Sequence, residues 1–217
     1  MSDHQDDEAN RLLEGAYALQ TPTDNVIYYR DFASHYDASF AGAMGYIYPG
    51  IVARALIEVD YSPGPILDVG CGTGLVAAEL RAKGVMDPID GVDLSPEMLV
   101  KAEEKALYQS LYEIDLTAEL TGLPHGYAAL ISAGTFTHGH IGPEPLSKLI
   151  DHCQAGAIAA IGVNAVHFKA LNFAAVLEDL YERERISQPV MQEVKIFDGA
   201  DDVHAEDTAF VLRFTVR

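Results

Sequence analysis

The segment Ile66-Leu67-Asp68-Val69-Gly70-Cys71-Gly72-Thr73-Gly74 constrains this chain more than any other. A short apolar run meets an acidic residue and then enters a Gly-x-Gly-x-Gly turn. Leu75-Val76-Ala77-Ala78-Glu79-Leu80-Arg81 follows with helical spacing and strong helix formers. Strand, glycine loop and helix in this order form a building unit of an open α/β sheet. Such sheets bind ligands beyond the carboxyl ends of their parallel strands, and this loop falls there. Glycines at that place admit positive φ and let a ligand approach the main chain closely. Asp68, beside the turn, is a candidate to hold a positively charged group.

Asp90-Gly91-Val92-Asp93-Leu94-Ser95-Pro96-Glu97-Met98-Leu99 is the second landmark. It reads as a strand ending in Asp93, then a helix. Ser95 suits the N-cap, Pro96 the first helical position, and Glu97 adds charge to the first turn. Asp93 lies nineteen residues after Gly74, the interval of an acid that hydrogen-bonds ribose hydroxyls. Gly72-x-Gly74-x-x-Ala77 with Asp93 also fits the dinucleotide fingerprint of NAD-dependent Rossmann oxidoreductases. Two features count against that alternative. Asp68 and Gly70 precede the glycine triplet, and the motif begins only near residue 66.

The Asp68-to-Gly74 loop together with Asp93 resembles motif I and the following acid of the class I S-adenosylmethionine (SAM)-dependent methyltransferases. The likeness runs roughly over residues 28–164. More narrowly, Asp68 through Arg81 and Gly91 through Leu99 resemble the methyltransferase-like proteins of the Williams–Beuren syndrome region and their bacterial relatives. The resemblance implies a Rossmann-like α/β fold: a seven-stranded, mostly parallel sheet with helices on both faces and a C-terminal antiparallel hairpin. It also implies SAM as cofactor and S-adenosylhomocysteine (SAH) as product. The cofactor contacts it implies are Asp68, Gly70, Cys71, Gly72 and Gly74 in the loop, and Asp93, Leu94 and Met98 after the second strand. Asp115 would accept from the adenine amino group, and the Leu116 N–H would meet a ring nitrogen. The same Asp115 also reads as a turn cap. Ser132, at the end of the fourth strand, completes the set.

Residues 26–40 carry Tyr28, Tyr29, Phe32, Tyr36 and Phe40 at helical spacing. Such a helix packs its aromatics on the core, or covers a cofactor, or both. Tyr29-x-x-Phe32-Ala33-x-x-Tyr36-Asp37 resembles the covering segment of many small-molecule methyltransferases. Tyr28, Tyr29 and Tyr36 are therefore further cofactor candidates. Residues 1–25 read as an acidic tail with a short helix, and residues 26–217 as the methyltransferase domain.

Charge narrows the partners. The chain has 14 basic residues against 33 acidic ones, a net charge of −19. Nucleic acid needs a basic surface to release its counterions, and anionic membranes repel an acidic protein. A small-molecule acceptor, neutral or cationic, is expected instead. Two cysteines make no disulfide framework and have no metal-ligand spacing. With an acidic, polar N-terminal stretch they point to a cytoplasmic protein without a metal centre.

The remaining expectations concern elements and chemistry. Helices are expected over residues 48–57, 75–83, 96–106, from Pro143 to near Gln154, and over 169–186. Strands are expected over 65–69, 87–92, 111–114, 127–132, 157–163, 191–197 and 210–217, with residues 133–140 as a loop. Methyl transfer from a sulfonium is an in-line displacement in which the protein positions acceptor and methyl. A base is needed only where the nucleophile must lose a proton. The segment Ala133-Gly134-Thr135-Phe136-Thr137-His138-Gly139-His140 offers His138 and His140 as catalytic candidates, since imidazole titrates in the right range. A domain that binds SAM or SAH as a regulator or scaffold, without efficient turnover, would carry the same loop.

Overall fold

The apolar runs of the sequence become one seven-stranded sheet in a computed structural model of the chain, which describes Gly15 and residues 45–137, 140–198 and 207–217. Helix α1 (Tyr48–Ile57) leads into β1 (Ile66–Val69), followed by α2 (Leu75–Ala82), β2 (Ile89–Asp93), α3 (Pro96–Glu104) and β3 (Ser110–Glu113). Then come β4 (Tyr127–Phe136), α4 (Leu146–Asp151), β5 (Cys153–Asn164), α5 (Ala165–Ala170), α6 (Phe173–Glu182), β6 (Val190–Lys195) and β7 (Thr208–Thr215). The strand order is β3-β2-β1-β4-β5-β7-β6. The first five are parallel, and β7 and β6 close the sheet in antiparallel fashion. The order reverses direction at β1 and β4, so a crevice opens there beyond their carboxyl ends.

β1 is buried along its whole length, as a central parallel strand between two layers of helices must be. Its side chains alternate. Ile66 joins Val52, Leu56, Val76 and Leu80 on one face. Leu67 and Val69 join Leu130, Leu146, Leu149 and Ile161 on the other. By that alternation Asp68 belongs to the face of Ile66, inside the apolar layer. α1 brings Val52, Ala53 and Leu56 to that layer with no exposed surface. Among the described residues no helix is long and apolar enough to cross a membrane.

Three expectations about elements are corrected. The helix expected over 169–186 is two helices, because Asn172 adopts a left-handed conformation (φ 53°) and breaks the run between α5 and α6. The helix expected to end near Gln154 stops at Asp151, and Gln154 already lies in β5, which pairs with β4 from Cys153 onward. β4 does not stop at Ser132. It passes through a register shift, with Gly134 at φ 84°, and continues to Phe136. Periodicity alone missed this, since the β4 extension is irregular and its glycine reads as a loop signal. The tail and short helix expected at the N-terminus lie outside the described residues apart from Gly15.

Candidate functional site

A cavity sits at the carboxyl ends of β1, β2 and β4. The glycine loop forms its floor by a small set of backbone bonds. Cys71 N–H donates to the Val92 carbonyl (3.0 Å), and Gly74 N–H to the Cys71 carbonyl (2.8 Å). The Asp93 carboxylate ties this loop to the next one. It accepts from Gly72 N–H (2.8 Å) on one oxygen and from Ser95 N–H (2.9 Å) on the other. Each oxygen keeps a further lone pair for a ligand. Burial pushes Asp93 above the usual carboxylate range, and the backbone donors of Ser95, Gly72 and Leu94 pull it back. Ser95 caps α3 by accepting from Met98 N–H (3.2 Å), which places Met98 on the cavity wall with Leu94.

The three loop glycines, all at positive φ, are needed for different reasons. A Cβ on Gly70 would lie 2.1 Å from Thr135 Oγ1, and a Cβ on Gly74 2.9 Å from the Tyr108 ring. A Cβ on Gly72 would meet no protein atom within 4 Å, and Gly72 lines the cavity. The space a side chain would fill there is left to a ligand. Together with the Asp93 carboxylate it fits an adenosyl cofactor. At the far side of β2, Ile114, Asp115 and Leu116 close the cavity. One Asp115 oxygen accepts from Thr117 N–H (2.8 Å) and Thr117 Oγ1 (2.6 Å). Asp115 is therefore both a turn cap and part of the wall.

Three residues named as cofactor contacts are not on the cavity wall. Asp68 is fully buried, and its carboxylate accepts from the Tyr108 hydroxyl (2.8 Å) beneath the loop. Burial raises it to about 7, against the pull of the Tyr108 bond and with a further push from the Asp93 charge. Strand alternation sends this side chain into the layer between sheet and helix, so it supports the loop from below. Ser132 is also fully buried and donates to the Val69 carbonyl (2.8 Å), tying β4 to β1. Gly74 serves as the left-handed entry to α2 over Tyr108. Gly70, Cys71, Gly72, Asp93, Leu94, Met98, Asp115 and Leu116 do come together on the cavity wall. Tyr28, Tyr29, Tyr36 and His138 lie outside the described residues.

Tyr46, Pro49, Gly134, Thr135, His140 and Ile141 complete the cavity wall. Thr135, on the irregular end of β4, donates to the Val69 carbonyl (2.9 Å) and so holds the start of the glycine loop. Burial pushes the Tyr46 hydroxyl well above its ordinary value. His140 lines the cavity, and burial, then the nearby His167, lower it to about 4. It is thus an uncharged imidazole at neutral pH. His167, on α5, donates from Nε2 to the Ile141 carbonyl (2.9 Å), and Asn164 caps that helix by accepting from Val166 N–H (3.0 Å) and His167 N–H (3.1 Å). Among the described residues no lysine or arginine lines the cavity.

Tyr46, Pro49, Ile141 and the buttress Tyr108 were not singled out in the sequence. Tyr46 and Pro49 stand some twenty residues before the motif, and no local pattern marks them as walls of a site. No local pattern singles out Tyr108, which stands in the connection just before the third strand.

Comparison with known proteins agrees with this geometry. Residues 66–156 match the family model described as a methyltransferase domain. The chain is 35% identical over 148 residues to methyltransferase-like protein 27 of Homo sapiens, an alignment covering 65% of this chain and 59% of that protein. The chain thus spans well under two thirds of that relative. The TehB-like SAM-dependent methyltransferase of Corynebacterium glutamicum superposes with a TM-score of 0.58 at 20% identity, over 87% of this chain and 98% of that one. The plantazolicin methyltransferase BpumL, solved in complex with SAH, gives a TM-score of 0.61 at 12% identity, over 99% of this chain and 100% of that one. Its motif loop, its sheet order and these likenesses together support a class I SAM-dependent methyltransferase, with the methyltransferase domain matched over residues 66–156.

Proposed function

We propose that this protein transfers a methyl group from SAM to a small neutral or cationic acceptor. The observation that carries this reading is one cavity lined by two unlike sets of residues. One set has backbone open at Gly72 beside the pinned Asp93 carboxylate. The other has an uncharged imidazole, His140. Gly72, Asp93, Met98, Asp115 and Leu116 would hold the cofactor. Bound there, it supplies an electrophilic methyl on a sulfonium.

His140 is the base in this reading. The acceptor's proton would pass to a ring nitrogen of His140 as the acceptor–carbon bond forms and the carbon–sulfur bond breaks. One positive charge disappears from sulfur as one appears on the imidazole, so the site's net charge is unchanged. Burial and the nearby His167 keep His140 uncharged and able to take a proton beside a sulfonium, and its lowered basicity suits a proton that the developing bond to carbon has made acidic. The acceptor's chemistry follows from the lining. An anionic acceptor would meet the carboxylates of Asp93 and Asp115 and no cation among the described residues. A hydroxyl, thiol or amine that gives up a proton suits this base. The net charge of −19 speaks against nucleic acid as acceptor.

SAH should raise the melting temperature of the protein in proportion to the logarithm of its concentration above Kd, and NAD should leave it unchanged. Stabilisation by NAD and not by SAH would overturn the reading. Methyl-labelled SAM incubated with a fractionated metabolite pool then identifies the acceptor by its label.

A further inference from the structure

Asp68 is a buried acid that the proposed chemistry does not use. It has no exposed surface, one oxygen accepts from Tyr108, and the other oxygen has no hydrogen-bond partner. Tyr108 reaches it from the connection between α3 and β3, which is itself firmly held. The Arg81 guanidinium on α2 donates to the Leu107 carbonyl (3.0 Å) and to those of Val85 and Asp87 (both 2.8 Å). Gln109 N–H donates to the Ile89 carbonyl (2.7 Å). This connection meets the glycine loop more than once. Lys105 Nζ donates to Thr73 Oγ1 (3.4 Å). The Tyr108 ring occupies the space beneath Gly74, and it shares with Cys71 Sγ the space left by Gly91, where an added Cβ would lie 2.9 Å from each. Neither Tyr108 nor Asp68 lines the cavity.

We propose that Tyr108 is a positioning residue for the cofactor loop: its hydroxyl holds the buried Asp68 carboxylate and its ring props Gly74, so the shape of the loop above depends on it. The proposal rests on the SAM site argued above. Its electrical consequence is specific. The groups facing Asp68 are Tyr108 from the α3–β3 connection, Cys71 from the loop and Asp93 from β2. Two acids and a thiol so close leave the Tyr108 hydroxyl as the one donor that favours the ionised carboxyl. A sulfonium in the neighbouring cavity also favours ionised Asp68, and a thioether does not. SAM affinity should therefore rise with pH through the titration of Asp68, and SAH affinity should rise less.

Calorimetry of SAM and SAH binding to the full chain, over about pH 6 to 9, tests this. Tyr108→Phe removes the donor and keeps the ring. It should weaken SAM binding about tenfold or more near neutral pH and move the midpoint of the pH dependence upward, since Asp68 then stays protonated to higher pH. A purely structural defect would weaken both ligands alike without moving that midpoint. Asp68→Asn keeps an oxygen to accept from Tyr108 and removes the charge, so it should flatten the pH dependence near neutrality. This second variant decides the matter if Tyr108→Phe does not fold. Wild-type affinity and midpoint in Tyr108→Phe, or an unchanged midpoint in Asp68→Asn, would overturn the proposal. A wild-type protein that binds neither SAM nor SAH would instead remove the cofactor site on which it rests.

Discussion

The wall residues proposed to hold the cofactor all fall between Gly70 and Met98 or in the short run Ile114 to Leu116. The residues proposed to meet the acceptor are Tyr46 and Pro49, before the first strand of the sheet, Gly134 and Thr135, on the irregular end of β4, and His140 and Ile141, after it. The first set works mainly through backbone: positive φ at glycines, N–H groups accepted by Asp93, a capped helix start. The second works through side chains brought together by the sheet. A cofactor common to a family can be met by a local, recurring backbone device. An acceptor that differs between relatives must be met by side chains that vary, on segments far apart.

That contrast can be broken by mutation, starting with the largest expected effect. His140→Ala should lower turnover by about 10²–10⁴-fold, the usual worth of a positioned proton acceptor. SAH affinity, measured by calorimetry, should change little. If His140 is instead merely part of the wall, turnover survives. Gly72→Val acts among the residues proposed to hold the cofactor. Its side chain meets no protein atom but occupies the ligand's space, so SAH affinity should fall by at least about a hundredfold, near 2.7 kcal/mol. The strained φ should cost the apo fold only about 1–2 kcal/mol, which a denaturant melt separates from the binding loss. Retention of SAH binding would place the ligand elsewhere. Asp93→Ala removes a charged acceptor of two backbone donors. A loss of about 1.5–3 kcal/mol in SAH binding is expected, and an unchanged Kd would take Asp93 out of the site.

The legible parts of this protein were those encoded within one element and its turn. The helix over Tyr48–Ile57, the Ser95 cap and the central parallel strands needed only periodicity, propensity and turn chemistry. The β4 extension and the break at Asn172 were not legible. There pairing with β5, and the packing of α5 and α6 against the core, override the local signal. Asp68 shows the same limit in the site. Its place beside the glycines was plain, yet whether the carboxylate faced the ligand depended on the pleat of β1 and on Tyr108, forty positions away.

By itself the sequence determined the strand-loop-helix unit, the spacing from Gly74 to Asp93 and the acidic character of the chain. All three follow from bonded neighbours or from composition. The tertiary structure decided that Asp68 and Ser132 support the loop from below, that Gly72 alone of the three loop glycines faces open space, and that His140 is held neutral beside Ile141 and His167. Those outcomes depend on burial and on contacts between segments distant along the chain. Desolvation and steric fit are properties of the assembled surroundings, and no local stretch of residues carries them.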